Sequence, residues 1–302
     1  MKFSLAICTH NHRAALQQTL AELKAINNPG GDWELLIVDN ASSDGTREWL
    51  VQGAWQLNHI PCRSVQESAL GVANARNRAL HEAQGEYVVF LDDDETPEQD
   101  WLQQIEQIID AHHPVAVGGR ICAQLPGKRP DWLSDQLLGF LGELNYGPEM
   151  ITLTKPSTPI FTGNAAFQRQ TVLDAGGFDA NLGRRGSLQS GGEDTDLYRR
   201  LIASGKTILW APKAVIHHRI EPWKLCRRYF LQLHFHQGRM EGARKRGASS
   251  RIPPMYVFPQ VARAYGRALF TRLRDGANHS LRLEMNAAYF TGYLLGWIKD
   301  AA

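Results

Sequence analysis

Four acidic residues stand side by side directly after an apolar segment in the first half of the chain. The stretch YVVFLDDDETP, residues 87–97, contains Asp92, Asp93, Asp94 and Glu95 in a row. Neighbouring carboxylates repel one another, and low-dielectric surroundings oppose their ionisation, so the cluster costs stability unless positive charge lies against it. The pattern therefore predicts a cation-binding site at the end of a strand.

Polar residues also end other apolar segments of the first half. Candidate strands, which alternate with helical patterns, occupy residues 3–9, 33–39, 59–65 and 87–92. Thr9 closes the first of these strands and Asp39 closes the second. Alternation of this kind indicates an α/β fold with a mostly parallel sheet, which binds ligands at the carboxyl ends of its strands.

Composition is typical of a soluble globular protein, with 43% hydrophobic and 21% charged residues among 302. The four cysteines are scattered without zinc-ligand spacing, which favours a reducing, cytoplasmic setting. The N-terminus resembles a first buried strand more than a signal peptide. The longest apolar run, residues 287–298, is shorter than the roughly 20 residues that a bilayer span requires.

The net charge of +2 is unevenly distributed. Residues 219–274 contain 13 Lys and Arg against two acids, which gives +11 and leaves −9 for the rest of the chain. Within this region apolar residues recur at helical spacing, namely Trp223, Cys226, Phe230 and Leu233. The basic residues Lys224, Arg227 and Arg228 flank them. Such a basic amphipathic helix either lies on an anionic membrane surface or packs on the catalytic domain.

A series of motifs, in a specific order, resembles the inverting glycosyltransferases of family 2. The motifs run from about residue 3 to 240 and read CTHNHR, VDNASSDGT, LGVANARNRAL, FLDDDE, FTGNAAFQR, GGFD, GGEDTDLYRRL and AVIHH. The resemblance implies a GT-A-like three-layer sandwich around a mostly parallel sheet. It places a catalytic domain at 1–220, with a nucleotide-binding half at about 1–120 and an acceptor-side half at about 121–220, and a basic amphipathic helical region at 221–302.

The acid cluster matches the D-x-D motif of this family. The resemblance implies that Asp92 and Asp94 serve Mn²⁺ or Mg²⁺, which neutralises the diphosphate of a nucleotide-sugar. Asp94 is expected to contact the metal directly, and Asp92 to serve the ribose or a metal-bound water. Asp93 and Glu95 are interpreted as solvated acids at the start of a helix near Pro97.

Related enzymes often have a histidine at the end of the last motif, directly after AVI, where it ligates the metal or touches the diphosphate. The resemblance assigns this role to His217 ahead of His218. A purely structural histidine is the alternative. His12 receives no catalytic role.

Further residues match nucleotide-binding positions of the family. Asp39 corresponds to the aspartate that reads the base, which favours UDP or dTDP, leaves GDP possible and excludes cytosine. Thr9 lies beside it, and Asp44 either holds the nucleotide or caps its helix. Arg76 matches a basic residue that meets the diphosphate, although pairing with a surface carboxylate is the alternative.

The remaining matches concern the acceptor. In GGEDTDLYRR, Asp194 corresponds to the general base and Glu193 to a residue that orients the acceptor, while an acidic first helical turn is the structural alternative. Gly163 and Asn164 are expected near the sugar on the acceptor side.

The resemblance implies transfer of a sugar, with inversion, from a nucleoside diphosphate to a hydroxyl of a glycan or lipid-linked glycan. Cell-surface polysaccharide biosynthesis by a cytoplasmic enzyme, peripheral at the inner face of the membrane, would fit. One alternative is a nucleotidyltransferase, disfavoured because no Gly-rich basic loop follows the first strand. Another is a non-catalytic nucleotide-sugar binder. Nucleic-acid binding is not expected, since no recognisable module is present.

Overall fold

The chain divides into two compact units. A computed structural model describes residues 1–57, 59–183, 191–246 and 253–298. The first unit comprises Met1–Gln124 and Gly142–Arg219, and the second comprises Leu125–Leu141 and Ile220–Ala302. Residues 125–141, which the sequence analysis counts with the acceptor-side half, therefore cluster with the C-terminal helices.

Within the described residues, the first unit is built on one nine-stranded sheet. The strands are β1 (Phe3–Thr9), β2 (Trp33–Asp39), β3 (Cys62–Gln66), β4 (Tyr87–Leu91), β5 (Glu95–Pro97), β6 (Ala116–Gln124), β7 (Ile151–Thr152), β8 (Asn164–Gln168) and β9 (Ile208–Arg219). Their order is β3-β2-β1-β4-β8-β6-β9-β5, and β7 pairs with β9.

Helices connect these strands and form the second unit. They are α1 (Arg13–Leu23), α2 (Thr46–Val51), α3 (Val72–Glu82), α4 (Trp101–His112), α5 (Asp135–Leu138), α6 (Arg169–Asp174), α7 (Glu193–Ala203), α8 (Arg227–Arg246), α9 (Val257–Asp275) and α10 (Ala277–Ile298). Short 3₁₀ turns occupy Gly139–Leu141 and Pro222–Lys224.

The first part of the sheet explains why the chemically interesting residues converge. Strands β1, β2 and β4 are almost entirely buried and read as continuous apolar runs, as parallel strands covered on both faces do. Strand β1 pairs in parallel with both β2 and β4, and Thr9 lies opposite Asp39. Residues that follow these strands therefore meet at one edge. The predicted α/β class with a helical C-terminal region is confirmed.

The second part of the sheet is mixed and includes a strand that the sequence analysis missed. Strand β8 runs antiparallel between β4 and β6, while β9 is parallel to β6. Residues Glu95–Pro97 form β5, antiparallel to β9, and α4 begins only at Trp101. The expected helix start near Pro97 is wrong because these residues join the ladder at the sheet edge, where a proline is tolerated.

The second unit buries part of the predicted amphipathic helix. Phe230, Tyr229 and Lys224 are buried. Arg227 donates to the Ala277 carbonyl at 2.6 Å and pairs with Glu284 at 2.9 Å. Part of the pattern therefore packs inside the second unit, whereas its residues Trp223 and Cys226 are exposed. The membrane interpretation of this segment stays a prediction. Among the described helices, none has the length and apolar character needed to cross a bilayer.

Glycines bring α8 and α10 into direct backbone contact. A Cβ on Gly238 would overlap the Tyr289 carbonyl, and one on Gly292 would overlap the Phe235 carbonyl. Gly242 and Gly296, each four positions further on, are equally restricted by the opposite backbone. Small residues at this spacing let two helices approach closely, so the contact depends on the absence of side chains.

Replacing Gly292 by Ala should destabilise the second unit by about 1–3 kcal/mol, because the methyl group overpacks the helix contact. Gly266→Ala is the matched control, since nothing lies within 4 Å of a Cβ there. The control should be stabilising by roughly 0.4–1 kcal/mol. Thermal unfolding measures both variants, and a Gly292→Ala protein as stable as the control would contradict the packing account.

Candidate active site

The acids that follow β4 are partly buried, not solvated. Asp93 is only 9% exposed and Glu95 only 3% exposed. The Thr9 hydroxyl donates to Asp93 Oδ2 at 2.6 Å, and His12 Nδ1 lies 2.8 Å from Asp93 Oδ1. Their interpretation as solvated helix-start acids is therefore wrong, because the loop after β4 turns these carboxylates inward against β1 and the residues that follow it.

Burial raises the pKa values of the Asp93 and Glu95 carboxyl groups above their ordinary values. For Asp93 the hydrogen bond with His12 opposes this effect, while Asp94 adds to it. For Glu95 the charges of Asp92 and Asp94 reinforce burial. The raised pKa values indicate a local shortage of positive charge, as the sequence pattern predicts.

Gly163 allows the acid cluster to pack tightly. A Cβ at this position would lie 2.5 Å from Glu95 Oε1 and 2.9 Å from Asp92 Oδ2. The Glu95 carboxylate also accepts a hydrogen bond from the Asp92 backbone N–H at 2.8 Å. Gly163, which is expected near the acceptor sugar, therefore leaves space for the Glu95 and Asp92 carboxylates.

Arg219, which the sequence analysis did not single out, holds the backbone of the acidic loop. Its backbone N–H donates to the Asp94 carbonyl at 2.9 Å, and its guanidinium donates to the Asp93 carbonyl at 3.3 Å. The same guanidinium donates to Thr19 and to Thr96. Arg219 thus fixes the loop through carbonyl groups. The sequence offers one indication of this role, which is the position of Arg219 directly after the AVIHH motif.

One group of side chains has the spacing of a metal site. Ligand atoms of His12, Asp93 and Asp94 all lie within 4.8 Å of one another. Carboxylate oxygens are the ligands that Mg²⁺ and Mn²⁺ prefer, and the raised pKa of Asp93 marks a need for a cation, so these residues fit a divalent metal. Asp94, which is expected to contact the metal, belongs to this group, whereas Asp92 does not.

The two histidines of AVIHH point to different partners. Nε2 of His218 lies 3.3 Å from Asp94 Oδ2, whereas Nε2 of His217 lies 3.3 Å from Glu98 Oε1. Successive side chains of a strand project to opposite faces, so only one of the two can meet the acid cluster. His218 is the histidine that meets the acid cluster, whereas the sequence analysis places His217 first.

Arg76 joins two acidic motifs that are far apart in sequence. Its guanidinium contacts Glu193 at 2.6 Å and Asp92 at 3.3 Å. Glu193 lies 117 positions after Arg76 in the sequence. Arg76 and Glu193 are both buried. Burial alone would lower the pKa of Arg76, but Asp92, Glu193 and Asp194 outweigh it and raise that pKa. The predicted alternative of a surface ion pair is wrong.

Helix α7 presents the predicted base at its first turn. Asp194 is half-buried, and its carboxylate accepts a hydrogen bond from the Thr195 backbone N–H at 2.7 Å. Burial, reinforced by the charge of Glu193 and opposed by Arg76, raises the pKa of Asp194 to about 6. Glu193 Oε2 has no hydrogen-bond partner among the described residues. Asp194 is thus mostly ionised at neutral pH yet more basic than an exposed aspartate.

The residues expected to bind the nucleotide lie at the ends of β1 and β2. Asp39 is buried and accepts a hydrogen bond from the Ser42 backbone N–H at 3.2 Å. Asp44 accepts hydrogen bonds from the backbone N–H groups of Arg13 and Thr46 and from the Thr46 hydroxyl. Asp44 therefore binds backbone N–H groups at the start of α2. This arrangement agrees with the interpretation that Asp44 caps its helix.

Asn164 occupies the interior of the sheet. It is completely buried, its amide oxygen accepts a hydrogen bond from the Trp101 indole at 2.7 Å, and its amide nitrogen donates to the carbonyls of Arg120 and Ala214. This side chain therefore ties α4 to β6 and β9, and the expected place of Asn164 near the sugar stays a prediction.

Comparison with solved structures identifies the fold. S. aureus TarS in complex with UDP-GlcNAc matches with a TM-score of 0.54 at 16% identity, over 97% of this chain and 90% of that chain. The mannosyltransferase PcManGT from Pyrobaculum calidifontis, in complex with GDP-Man and Mn²⁺, matches with a TM-score of 0.59 at 18% identity, over 96% and 86%. The predicted GT-A fold is confirmed.

Sequence comparison gives the family. The chain belongs to glycosyl transferase family 2, whose sequence pattern matches residues 4–177. The succinoglycan biosynthesis protein ExoM of Rhizobium meliloti (strain 1021) is 27% identical over 252 residues, which cover 80% of this chain and 74% of ExoM. The protein is therefore a glycosyltransferase, and the nucleotidyltransferase alternative is not retained.

Replacing Arg76 by Met should lower the free energy of unfolding by about 3 kcal/mol, because Glu193 is left buried without its counter-charge. Combining this change with Glu193→Gln should restore part of the loss. Arg78→Met, on the same helix with a partly exposed ion pair to Glu82, should cost less than about 1 kcal/mol. Urea unfolding that gave equal losses for both single variants would contradict the assignment.

Proposed function

We propose that this protein transfers a sugar from a nucleoside-diphosphate donor to a hydroxyl of a glycan or lipid-linked glycan, with inversion at the anomeric carbon. The observation that carries the proposal is the contact of Arg76 with both Asp92 and Glu193. This contact brings the acid cluster after β4 next to the first turn of α7. The donor diphosphate and the base that activates the acceptor then share one site.

Asp194 serves as the general base in this proposal. Its carboxylate takes the proton of the acceptor hydroxyl while the acceptor oxygen forms a bond to the anomeric carbon. The bond from that carbon to the diphosphate oxygen breaks on the opposite side, and the diphosphate leaves with the electron pair. A pKa of about 6 suits this task, because the group is ionised at neutral pH and still basic.

The acid cluster would hold Mn²⁺ or Mg²⁺, which supplies counter-charge to the diphosphate when bound. Asp94 and His218 are the proposed ligands, and the His12–Asp93 pair lies within ligand distance of Asp94. Arg76 holds Asp92, which is proposed to serve the ribose or a metal-bound water. The Mn²⁺ in the PcManGT complex supports this assignment.

Asp39 is proposed to read the base from the end of β2. UDP or dTDP is the favoured donor nucleotide, supported by the UDP-GlcNAc complex of TarS, and GDP remains a candidate through the GDP-Man complex of PcManGT. Thr9 is proposed to act through Asp93, because its hydroxyl is engaged there. The likeness to the succinoglycan biosynthesis protein supports a role in cell-surface polysaccharide biosynthesis.

Asp194→Asn should preserve donor binding and lower turnover by roughly 10²-fold or more, the scale of losing a general base. Turnover of the unmodified protein should rise as pH increases through about 6, because Asp194 must be ionised to accept the proton. Asp196→Asn is the control, since that carboxylate pairs with Arg200 on the same helix. Nucleoside-diphosphate release from a panel of UDP-, dTDP- and GDP-sugars measures turnover.

Two outcomes would contradict this assignment. Full activity of Asp194→Asn at neutral pH would remove Asp194 as the base. A product that keeps the anomeric configuration of the donor would be incompatible with a single displacement, whichever residue serves as the base.

Nucleotide binding should depend on divalent metal through His218 and Asp94. Calorimetry with UDP in Mn²⁺ and in EDTA should show a metal-dependent affinity that His218→Ala weakens and Asp94→Ala abolishes. His217→Ala is the matched control on the neighbouring position of β9, and it should bind as the unmodified protein does. Equal UDP affinity in Mn²⁺ and EDTA, or a stronger effect of His217→Ala, would overturn the metal assignment.

A further inference from the structure

Helix α9 carries a large apolar face that no described residue covers. Leu269 is 59% exposed and Leu273 is 79% exposed. Phe258, Tyr265 and Phe270 on the same helix are also exposed. Single exposed apolar side chains are ordinary on protein surfaces, whereas several on one helix mark an interaction site.

These exposed residues form a stripe along the helix. The positions 258, 262, 265, 269 and 273 follow one another at intervals of three or four, which places them on one side of an α-helix. Val257 and Ala268 are the buried residues of α9, and Val257 packs against Tyr293 and Trp297 of α10. The helix therefore has one apolar face toward its own unit and a second apolar face away from it.

Arginines border the outer face. Arg263, Arg267, Arg272 and Arg274 are all exposed. Phe270 widens the exposed apolar face beyond the stripe. At 3.6 residues per turn, Arg272 falls beside Tyr265 at one edge of this face, and the other three arginines fall beyond Phe270 at its other edge. The only acid of α9 is Asp275, which pairs with Arg274 at 2.8 Å. Arg272 pairs with Glu284 of α10 at 3.1 Å. The surplus of positive charge beside the apolar side chains therefore comes mainly from Arg263 and Arg267.

We propose that α9 lies flat on an anionic lipid bilayer, with its outer apolar face among the lipid chains and its arginines at the phosphate groups. An exposed apolar stripe bordered by basic residues is the pattern of an interfacial helix. The charge complementarity selects anionic lipid, since each arginine gains from the negative surface potential.

A second copy of the chain fits this surface less well. Pairing the outer faces of two α9 helices would bring the arginines at the edges of one face close to those of the other. Helix α9 has no acid free to offset this repulsion, since Asp275 pairs with Arg274. The sequence pattern suggests a membrane contact for residues 223–233, whereas the contact proposed from the structure lies on α9. The inference is independent of the proposed reaction, although a lipid-bound enzyme would meet a lipid-linked acceptor directly.

Vesicle flotation with the full chain tests the proposal. The protein should float with vesicles that contain phosphatidylglycerol and stay unbound with pure phosphatidylcholine. Arg263→Gln combined with Arg267→Gln should weaken binding roughly tenfold or more and reduce its dependence on salt. Leu269→Asp combined with Leu273→Asp should abolish binding, whereas Val51→Asp, an equally exposed apolar position on α2, should leave it unchanged.

Several results would overturn the inference. One is failure to bind anionic vesicles at low salt, and another is equal binding by the Leu269→Asp and Leu273→Asp protein. A third is a dimer, seen by sedimentation velocity, that those changes dissolve while vesicles remain unbound. Because all five altered positions are exposed, thermal unfolding should be unchanged. UDP binding by the same variants separates this test from that of the proposed reaction.

Discussion

The buried ion pair between Arg76 and Glu193 is the interaction on which the site depends. It connects α3 to the first turn of α7, and through Asp92 it reaches the loop after β4. A buried charge without a partner is far less stable than a buried pair, so each of the three side chains restrains the other two. The acids that are proposed to receive a donor and the acid that is proposed to activate an acceptor are thereby held in one site.

The acid cluster is balanced only in part by the protein itself. Thr9 and His12 contact the Asp93 carboxylate, while Arg219 binds the loop through carbonyl groups and leaves the carboxylates to other partners. The raised pKa values of Asp93 and Glu95 reflect this incomplete balance. A site with this excess of negative charge suits a divalent cation that arrives with a diphosphate, and it explains why the cluster follows a buried strand.

Sequence patterns predicted which motifs meet but not how each side chain is used. Parallel pairing brings the ends of β1, β2 and β4 to one edge, so the strand pattern alone was sufficient there. The choice between His217 and His218 depends on the register of β9, and the burial of Asn164 depends on packing across the sheet. Helical spacing likewise could not separate the inner face of α8 from the outer face of α9, since both are amphipathic.

The central claim is that the acid cluster and Asp194 serve the same reacting atoms. A crystal structure with UDP and Mn²⁺, recorded with anomalous diffraction at the manganese edge, tests this claim most directly. The account predicts one anomalous peak within coordination distance of Asp94 and His218, with the Asp194 carboxylate facing the space beyond the diphosphate. A peak at His217 and Glu98 instead, or an Asp194 carboxylate turned away from the bound nucleotide, would contradict it.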